Sequence, residues 1–290
     1  MASEIGKPAR PSGTQAIERA VEILKLLATR AQFGWRLTDL ANRSGMDKPT
    51  VHRILACLQN ARLVMRDARL RRYFPGPMLV ELGLSVASSQ PLVDEGRALI
   101  ERLSQRTDGV AFLYLRSGVD CVVAARSERR AHHGMLNDFG CRRPMITSSG
   151  GVAMLSVLPR EEREAVVANN LAQLRDMGIP RLGRFEQMLE RSLRTGFAQN
   201  LEDVAAGIHS FSVPVLDRLG SPVASIAVAG DPEQFPESAA MKMASLLRAE
   251  VIGLNALVPS LFTANPVSNS ATNPMSNPGT CVPQEIARNS

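Results

Sequence analysis

Lys48, Thr50, His52 and Arg53 crowd into the segment KPTVHR, and each carries the hydrogen-bonding groups that proteins use to read nucleic acid. An arginine fork donates two hydrogen bonds to guanine O6 and N7, and a threonine or histidine beside it contacts neighbouring base edges. A second set of cations follows closely, with Arg62 ahead of Arg69, Arg71 and Arg72. Together with Lys48 and Thr50 these have the donors for phosphate contacts, which fix register on a duplex without reading its sequence. The plainer alternatives are a solvated helix charge for Arg53, a helix-edge cover for His52 and a small packing residue for Cys57.

A different chemistry is available at Thr147-Ser148-Ser149-Gly150-Gly151, just ahead of an apolar run expected to be helical over 152–158. Free N–H groups at a helix start, hydroxyls beside them and glycines that permit close approach make an anion site suited to a carboxylate. An ordinary N-cap with a flexible entry would leave the same trace. Arg142 stands close enough in sequence to pair with that carboxylate, or to be a surface charge, while Met135, Leu136 and Phe139 are candidate pocket walls or core.

Other chemistries find less support. Cys121, His132, His133 and Cys141 are zinc-ligand types, but adjacent histidines without a short ligand pair do not make a zinc motif, so neither a metal nor another cofactor is expected. No G-x-S-x-G elbow, H-E-x-x-H, P-loop or G-x-G-x-x-G occurs, which leaves a small-molecule enzyme with a helical appendage as the alternative. A single-strand or RNA binder needs stacking platforms, and the basic third has only Phe33, Trp35, Tyr73 and Phe74.

The elements that must position these residues follow from periodicity. From Thr14, a possible N-cap, Ile17, Ala20, Val21, Leu24, Leu27 and Ala28 form one stripe of a first helix. Thr38 is placed to cap a second helix burying Leu40 and Ala41, which Gly45 ends in a left-handed turn. Asp47 then caps a third, with Pro49 tolerated in its first turn. Val51, Ile54, Leu55 and Leu58 are its core stripe, so Pro49, Arg53, Ala56 and Asn60 face outward, flanked by Thr50, His52 and Cys57. Strands over 63–66 and 71–74, with a turn through 67–69, complete a winged helix-turn-helix.

Further on, 78–89 reads as a linker helix, and a helix with Leu92, Leu99 and Leu103 inward leads to a hairpin of 111–116 and 120–125. GVAMLSVLP, EEREAVVANNLAQL and GRFEQMLERSLRTGF read as helices, two strands surround Gly220, and a helix over 237–257 closes the pattern. The expected class is α+β: an arm over 1–13, a winged helix-turn-helix over 14–76, a linker over 77–90, a second domain over 91–260 on a mixed or antiparallel sheet, and a disordered tail over 261–290.

Charge divides the chain at the same place. Of the net +6, residues 1–90 contribute +7, with 14 Lys or Arg against 7 Asp or Glu, while the remainder sums to −1. A basic module beside a neutral one points to a polyanion partner for the first alone. The four cysteines are far apart, and neither a signal-peptide core nor a membrane-length apolar run is present, so a soluble cytoplasmic protein is expected.

In this order, GTQAIERAVEILKLLA, LTDLANRSGMDKPTVHRILACLQNARLV, RRYFPGPMLVELG, GCRRPMITSSGGVAML and GFAQNLEDVAAGIHSFSVPVLDRLGSPVASIAVAG resemble the IclR family of bacterial transcriptional regulators across roughly 14–258. The resemblance implies homodimers or homotetramers on a palindromic double-stranded operator, and a C-terminal GAF-like α/β domain that binds a small organic acid or aromatic catabolite. It also brings further residues into the effector site. Asn200 stands where many members have an acidic residue, Ser210 where many have cysteine, Ala227 and Ala229 where serines can occur, and Val152 where lysine is common. Such a pocket is less polar than one for a two-carbon oxoacid, so a larger, partly apolar carboxylate such as an aromatic acid is expected.

Overall fold

The apolar positions of TQAIERAVEILKLLAT wind into α1 (Thr14–Thr29), whose inward side is Ile23, Leu26 and Leu27, all 0% exposed. This corrects the expected stripe: Ile17 and Val21 are 66% and 43% exposed and Ala28 is exposed as well, because the side of α1 that packs on the third helix and the wing runs through Ile23, Leu26 and Leu27. The coordinates are a computed structural model describing residues 14–29, 33–87, 91–129, 139–176 and 184–258. The expected arm over 1–13 and the tail from 261 lie outside these. The chain forms two compact units, Met1–Leu84 and Ser85–Ser290.

In the first unit α2 (Leu37–Ser44) ends at Gly45, whose φ of 64° is the left-handed turn its position required. Thr38 does not cap this helix: Arg36 holds the N-cap position, and Thr38 lies inside, donating to Asp39. Asp47 does precede α3 (Lys48–Asn60), though its side chain makes no capping bond and only its carbonyl accepts the Val51 N–H, at 3.1 Å. Val51, Leu55 and Leu58 are buried and Ile54 partly so, packed with Trp35, Leu40, Val64 and Tyr73.

The wing is an antiparallel pair, β1 (Val64–Asp67) and β2 (Arg72–Pro75). Trp35 adds a further rung: its N–H donates to the Tyr73 carbonyl at 2.9 Å and its carbonyl accepts the Tyr73 N–H at 2.8 Å. Helix α4 (Pro77–Ala87) follows, and the division between units falls within it.

The second unit is built on one antiparallel six-stranded sheet in the order β5-β4-β3-β8-β7-β6. The expected hairpins are its middle: β3 (Val110–Ser117) with β4 (Asp120–Ser127), and β7 (His209–Leu216) with β8 (Pro222–Gly230), joined through the β3–β8 pair. Two short edge strands, β5 (Arg142–Pro144) and β6 (Ala198–Leu201), escaped the sequence reading. Residues 196–197, read as helix, follow the end of α8 (Phe185–Thr195), which Gly196 stops at φ 73°.

Alternation along the strands divides the core between two layers. Leu113, Phe211, Val213, Ile226 and Val228 face α5 (Pro91–Thr107) and α9 (Ala240–Leu257). Phe112, Tyr114, Ala227 and Ala229 pack with α6 (Ser149–Val157), α7 (Arg160–Asp176) and α8. Leu92, Leu99 and Leu103 point inward as expected.

Candidate nucleic-acid interface and ligand site

Burying Val51, Leu55 and Leu58 leaves the opposite side of α3 to solvent: Lys48, Pro49, His52, Arg53 and Ala56 are exposed and Thr50 is half-buried. The structure therefore presents the three reading candidates Thr50, His52 and Arg53, and the phosphate candidate Lys48, on one helix, with Cys57 exposed rather than packed. A helix of this width fits a major groove, and its N-terminal turn carries the base-reading side chains in helix-turn-helix domains.

The cations around α3 are not equivalent. Arg69 and Arg71 are exposed at the wing tip, Arg71 with φ 53°. Arg72 serves the fold, its Nη1 donating to the Phe33 carbonyl at 2.7 Å and so tying β2 to the segment before α2. Arg62 pairs with Glu81 at 2.6 Å, both well exposed, a contact weak enough to be exchanged for a phosphate. Arg66 is a wing cation that the sequence reading passed over: it is exposed, with its guanidinium 5.6 Å from the centre of the Tyr73 ring. Strand alternation places it on the same face as the buried Val64, so the available signal was the basic run from Arg62 to Arg72 that contains it.

In the second unit, α6 starts at Ser149, three residues earlier than expected. Ser148 is the N-cap, its Oγ accepting the Gly151 N–H at 3.0 Å and its carbonyl the Val152 N–H at 3.0 Å. Ser149 and Gly150 are then the first-turn residues whose N–H groups carry the positive end of the helix dipole. The glycines are required here by space. A Cβ on Gly151 would lie 2.0 Å from the Met145 carbonyl oxygen, and one on Gly150 would lie 2.3 Å from the Tyr114 ring.

The sheet brings the remaining candidates to this helix. Asn200 pairs across strands with Ser210, and Ser210 with Ala229, so the three form one row, with Ala227 two residues along β8 on the same face. Ser210 Oγ donates to Ser149 Oγ at 2.8 Å, both side chains being buried. The start of α6 and the sheet thus bring Ser149, Ser210 and Ala229 together, with Ala227 on the same face of β8.

Three candidates serve the fold instead. Arg142 has its carboxylate within the chain: Nη1 lies 3.3 Å from Asp120 Oδ2, and Nη2 donates to Ser117 Oγ at 2.6 Å, which pins the β3–β4 turn. Thr147 is 0% exposed, with its hydroxyl donating to the Pro144 carbonyl at 2.7 Å and accepting from Arg143 Nε at 2.9 Å. Asn200 is committed on both ends of its amide, donating to the Ile208 carbonyl at 3.0 Å and accepting from the Asp203 and Val204 N–H groups.

Arg143, given no role from sequence, is the buried cation of this segment, 2% exposed and also bonded to the Thr147 carbonyl. Phe139 is 71% exposed and, with Arg97, Glu101 and Arg126, lines an open cavity of about 570 Å³ that shares no lining residue with the start of α6. Met135 and Leu136 lie outside the described residues.

Cys121 is fully buried, its sulfur 3.7 Å from Ser148 Oγ, and burial pushes its thiol up to about 11 despite nearby Arg143. It is a protonated packing group at neutral pH. No cluster of three or more His, Cys, Asp or Glu able to hold a metal occurs among the described residues, and His132 and His133 lie outside them. No described helix is long and apolar enough to cross a membrane.

Comparison with known proteins follows the same two parts. Residues 16–68 match the IclR helix-turn-helix domain, and residues 84–252 match the domain described as bacterial transcriptional regulator IclR C-terminal. The chain is 24% identical over 243 residues to the HTH-type transcriptional repressor AllR of Klebsiella pneumoniae, covering 83% of this chain and 89% of that one. It is 27% identical over 222 residues to the HTH-type transcriptional regulator BhcR of Paracoccus denitrificans, covering 75% and 78%. Among solved structures, an IclR-type regulator from Silicibacter sp. superposes with a TM-score of 0.71 at 22% identity, covering 83% of this chain and 95% of that one. An IclR homolog from Microbacterium hydrocarbonoxydans, solved in complex with 4-hydroxybenzoate, gives 0.66 at 19% identity, covering 83% and 98%.

Proposed function

Because this chain belongs to the IclR family of bacterial transcriptional regulators, we propose that it reads a palindromic double-stranded operator with Thr50, His52 and Arg53 and releases or grips it in response to a small carboxylate bound at the start of α6. The regulator class disposes of the enzyme alternative. What carries the reading is the separation of chemistries: one unit exposes a basic helix face and wing, while the other holds buried N–H and hydroxyl groups at a helix start.

Lys48, Arg69 and Arg71 supply the phosphate contacts, with Arg62 joining by exchanging Glu81 and Arg72 steadying the wing from behind. Two reading heads one helical turn apart match a palindrome, so the working species is a homodimer or a homotetramer of such pairs. The exposed apolar side chains Ile17 and Val21 on α1, and Val80, Leu82 and Leu84 on α4, support self-association of this unit. The place of work is the cytoplasm, where the DNA is.

For the effector, an alanine floor beside a hydroxyl pair favours an acid with an apolar body over a two-carbon oxoacid. The 4-hydroxybenzoate complex of the Microbacterium homolog fits that class. Ser149, Gly150 and Ser210 receive the carboxylate, Ser148 and Gly151 set the helix start, and Ala227 and Ala229 floor the site. Asn200, Thr147 and Arg142 act from behind by holding the surrounding turns.

The test is binding to the DNA upstream of the chain's own gene and its neighbours, measured by gel shift over a salt series. Salt-dependent protection of a palindrome is expected, and Arg53→Ala should lower specific affinity by about tenfold or more while leaving non-specific binding in place. No palindrome-specific binding by the wild type would overturn the reading; unchanged specificity in Arg53→Ala would remove Arg53 as the reading residue.

A further inference from the structure

The wing tip carries a side chain that neither the core nor the phosphate contacts use. In Asp67-Ala68-Arg69-Leu70-Arg71, Leu70 is 57% exposed between two exposed arginines. A single exposed leucine is ordinary on a protein surface. This one differs in where it is held and in what flanks it. Asp67 Oδ1 accepts the N–H groups of both Arg69, at 2.7 Å, and Leu70, at 2.8 Å, while Arg71 adopts a left-handed φ of 53° to return the chain into β2.

The base of the hairpin is fixed as well, by the two Trp35–Tyr73 backbone bonds and by Arg72 on the Phe33 carbonyl. The conformation that presents Leu70 to solvent is therefore set before anything binds, and little ordering cost is left for a partner to meet.

We propose that the wing tip is a minor-groove wedge: Arg69 and Arg71 enter the groove beside the α3 site, and Leu70 inserts at a base step between them. This rests on the operator-binding reading above and adds to it how the duplex is deformed. The two guanidinium groups supply the charge complement of a narrow minor groove, whose negative potential attracts arginine. An apolar side chain carried in by them has only sugar edges and the faces of partly unstacked bases to bury against, which is how wedge residues kink a duplex toward its major groove. Pyrimidine–purine steps unstack at least cost, so each half-site carries a TA or CA/TG step under the wing, at a position with no direct base-reading contact.

The test uses the full chain and its footprinted operator, with 2-aminopurine placed in turn at each step next to the α3-protected bases. Wild-type protein is expected to raise the fluorescence at one step per half-site and to bend the fragment in a circular-permutation gel. Leu70→Ser should abolish both signals and lower operator affinity roughly tenfold, the scale of re-exposing a leucine to water. Its salt slope should be unchanged, because no phosphate contact is lost. Leu70→Met should retain the wedge.

Leu70 is exposed, so unchanged thermal unfolding is expected to show that the Ser variant folds. Equal fluorescence, bend and affinity in wild type and Leu70→Ser would overturn the wedge while leaving the operator reading intact. Failure of the wild type to select any operator would overturn both.

Discussion

At the scale of single residues, neighbours of one type have opposite duties. Arg142 sits at a partly exposed edge and holds Asp120 and Ser117, whereas Arg143, one residue on, is 2% exposed and bonded to both the hydroxyl and the carbonyl of Thr147. Removing the buried Arg143 leaves its acceptors unpaired and opens a void, while removing Arg142 leaves the buried Asp120 carboxylate without its cation. Arg143→Ala is therefore expected to destabilise the protein by roughly 2–4 kcal/mol and Arg142→Ala by roughly 1–3 kcal/mol, as read by urea unfolding of the full chain. An unchanged unfolding midpoint in either variant would mean that its contacts do not anchor this segment. A sequence cannot distinguish the two, because a three-residue strand has no periodicity to say which arginine faces in. The same limit hid Asn200, whose polar side chain looks like a ligand group until the Asp203 and Val204 N–H groups are seen bonded to it.

Among the elements, those with long periodic faces were legible and those set by packing were not. Helix α3 was readable because four apolar positions at helical spacing dictate its buried side, and the basic hairpin behind it could belong to little else. The start of α6 was misplaced by three residues because glycine is a poor helix former and Gly150-Gly151 reads as loop. Tertiary space overrides that preference, since both backbones lie where a side chain would strike Met145 or Tyr114. The edge strands β5 and β6 are too short to show alternation.

On α1 the apolar residues exceed what one face needs. Ile17 and Val21, expected in the core, are exposed. The packing at α6 gives a prediction for this element. Gly151→Ala puts a methyl group against the backbone of residue 145, which no rotamer relieves, so a loss of about 1–3 kcal/mol is expected. Thermal denaturation checks it, and an unchanged midpoint would mean that the turn before α6 yields freely.

For the whole molecule, the division of charge anticipated the division of labour: the positive surplus lies with the helix face and wing, and the neutral remainder forms a sheet with helices on both sides. The two functions are useful only if they are coupled, and coupling between a small ligand and a distant site commonly changes affinity by 5–150-fold. The deciding measurement is the operator dissociation constant of the full chain, followed by fluorescence anisotropy at fixed salt. It is taken with and without a panel of benzoate, 4-hydroxybenzoate, phenylacetate and glyoxylate. An aromatic acid is expected to shift that constant by about fivefold or more, in either direction, with binding to a scrambled duplex unchanged. An operator affinity indifferent to all of the aromatic acids, or responsive to glyoxylate alone, would contradict an acid with an apolar body bound at the start of α6.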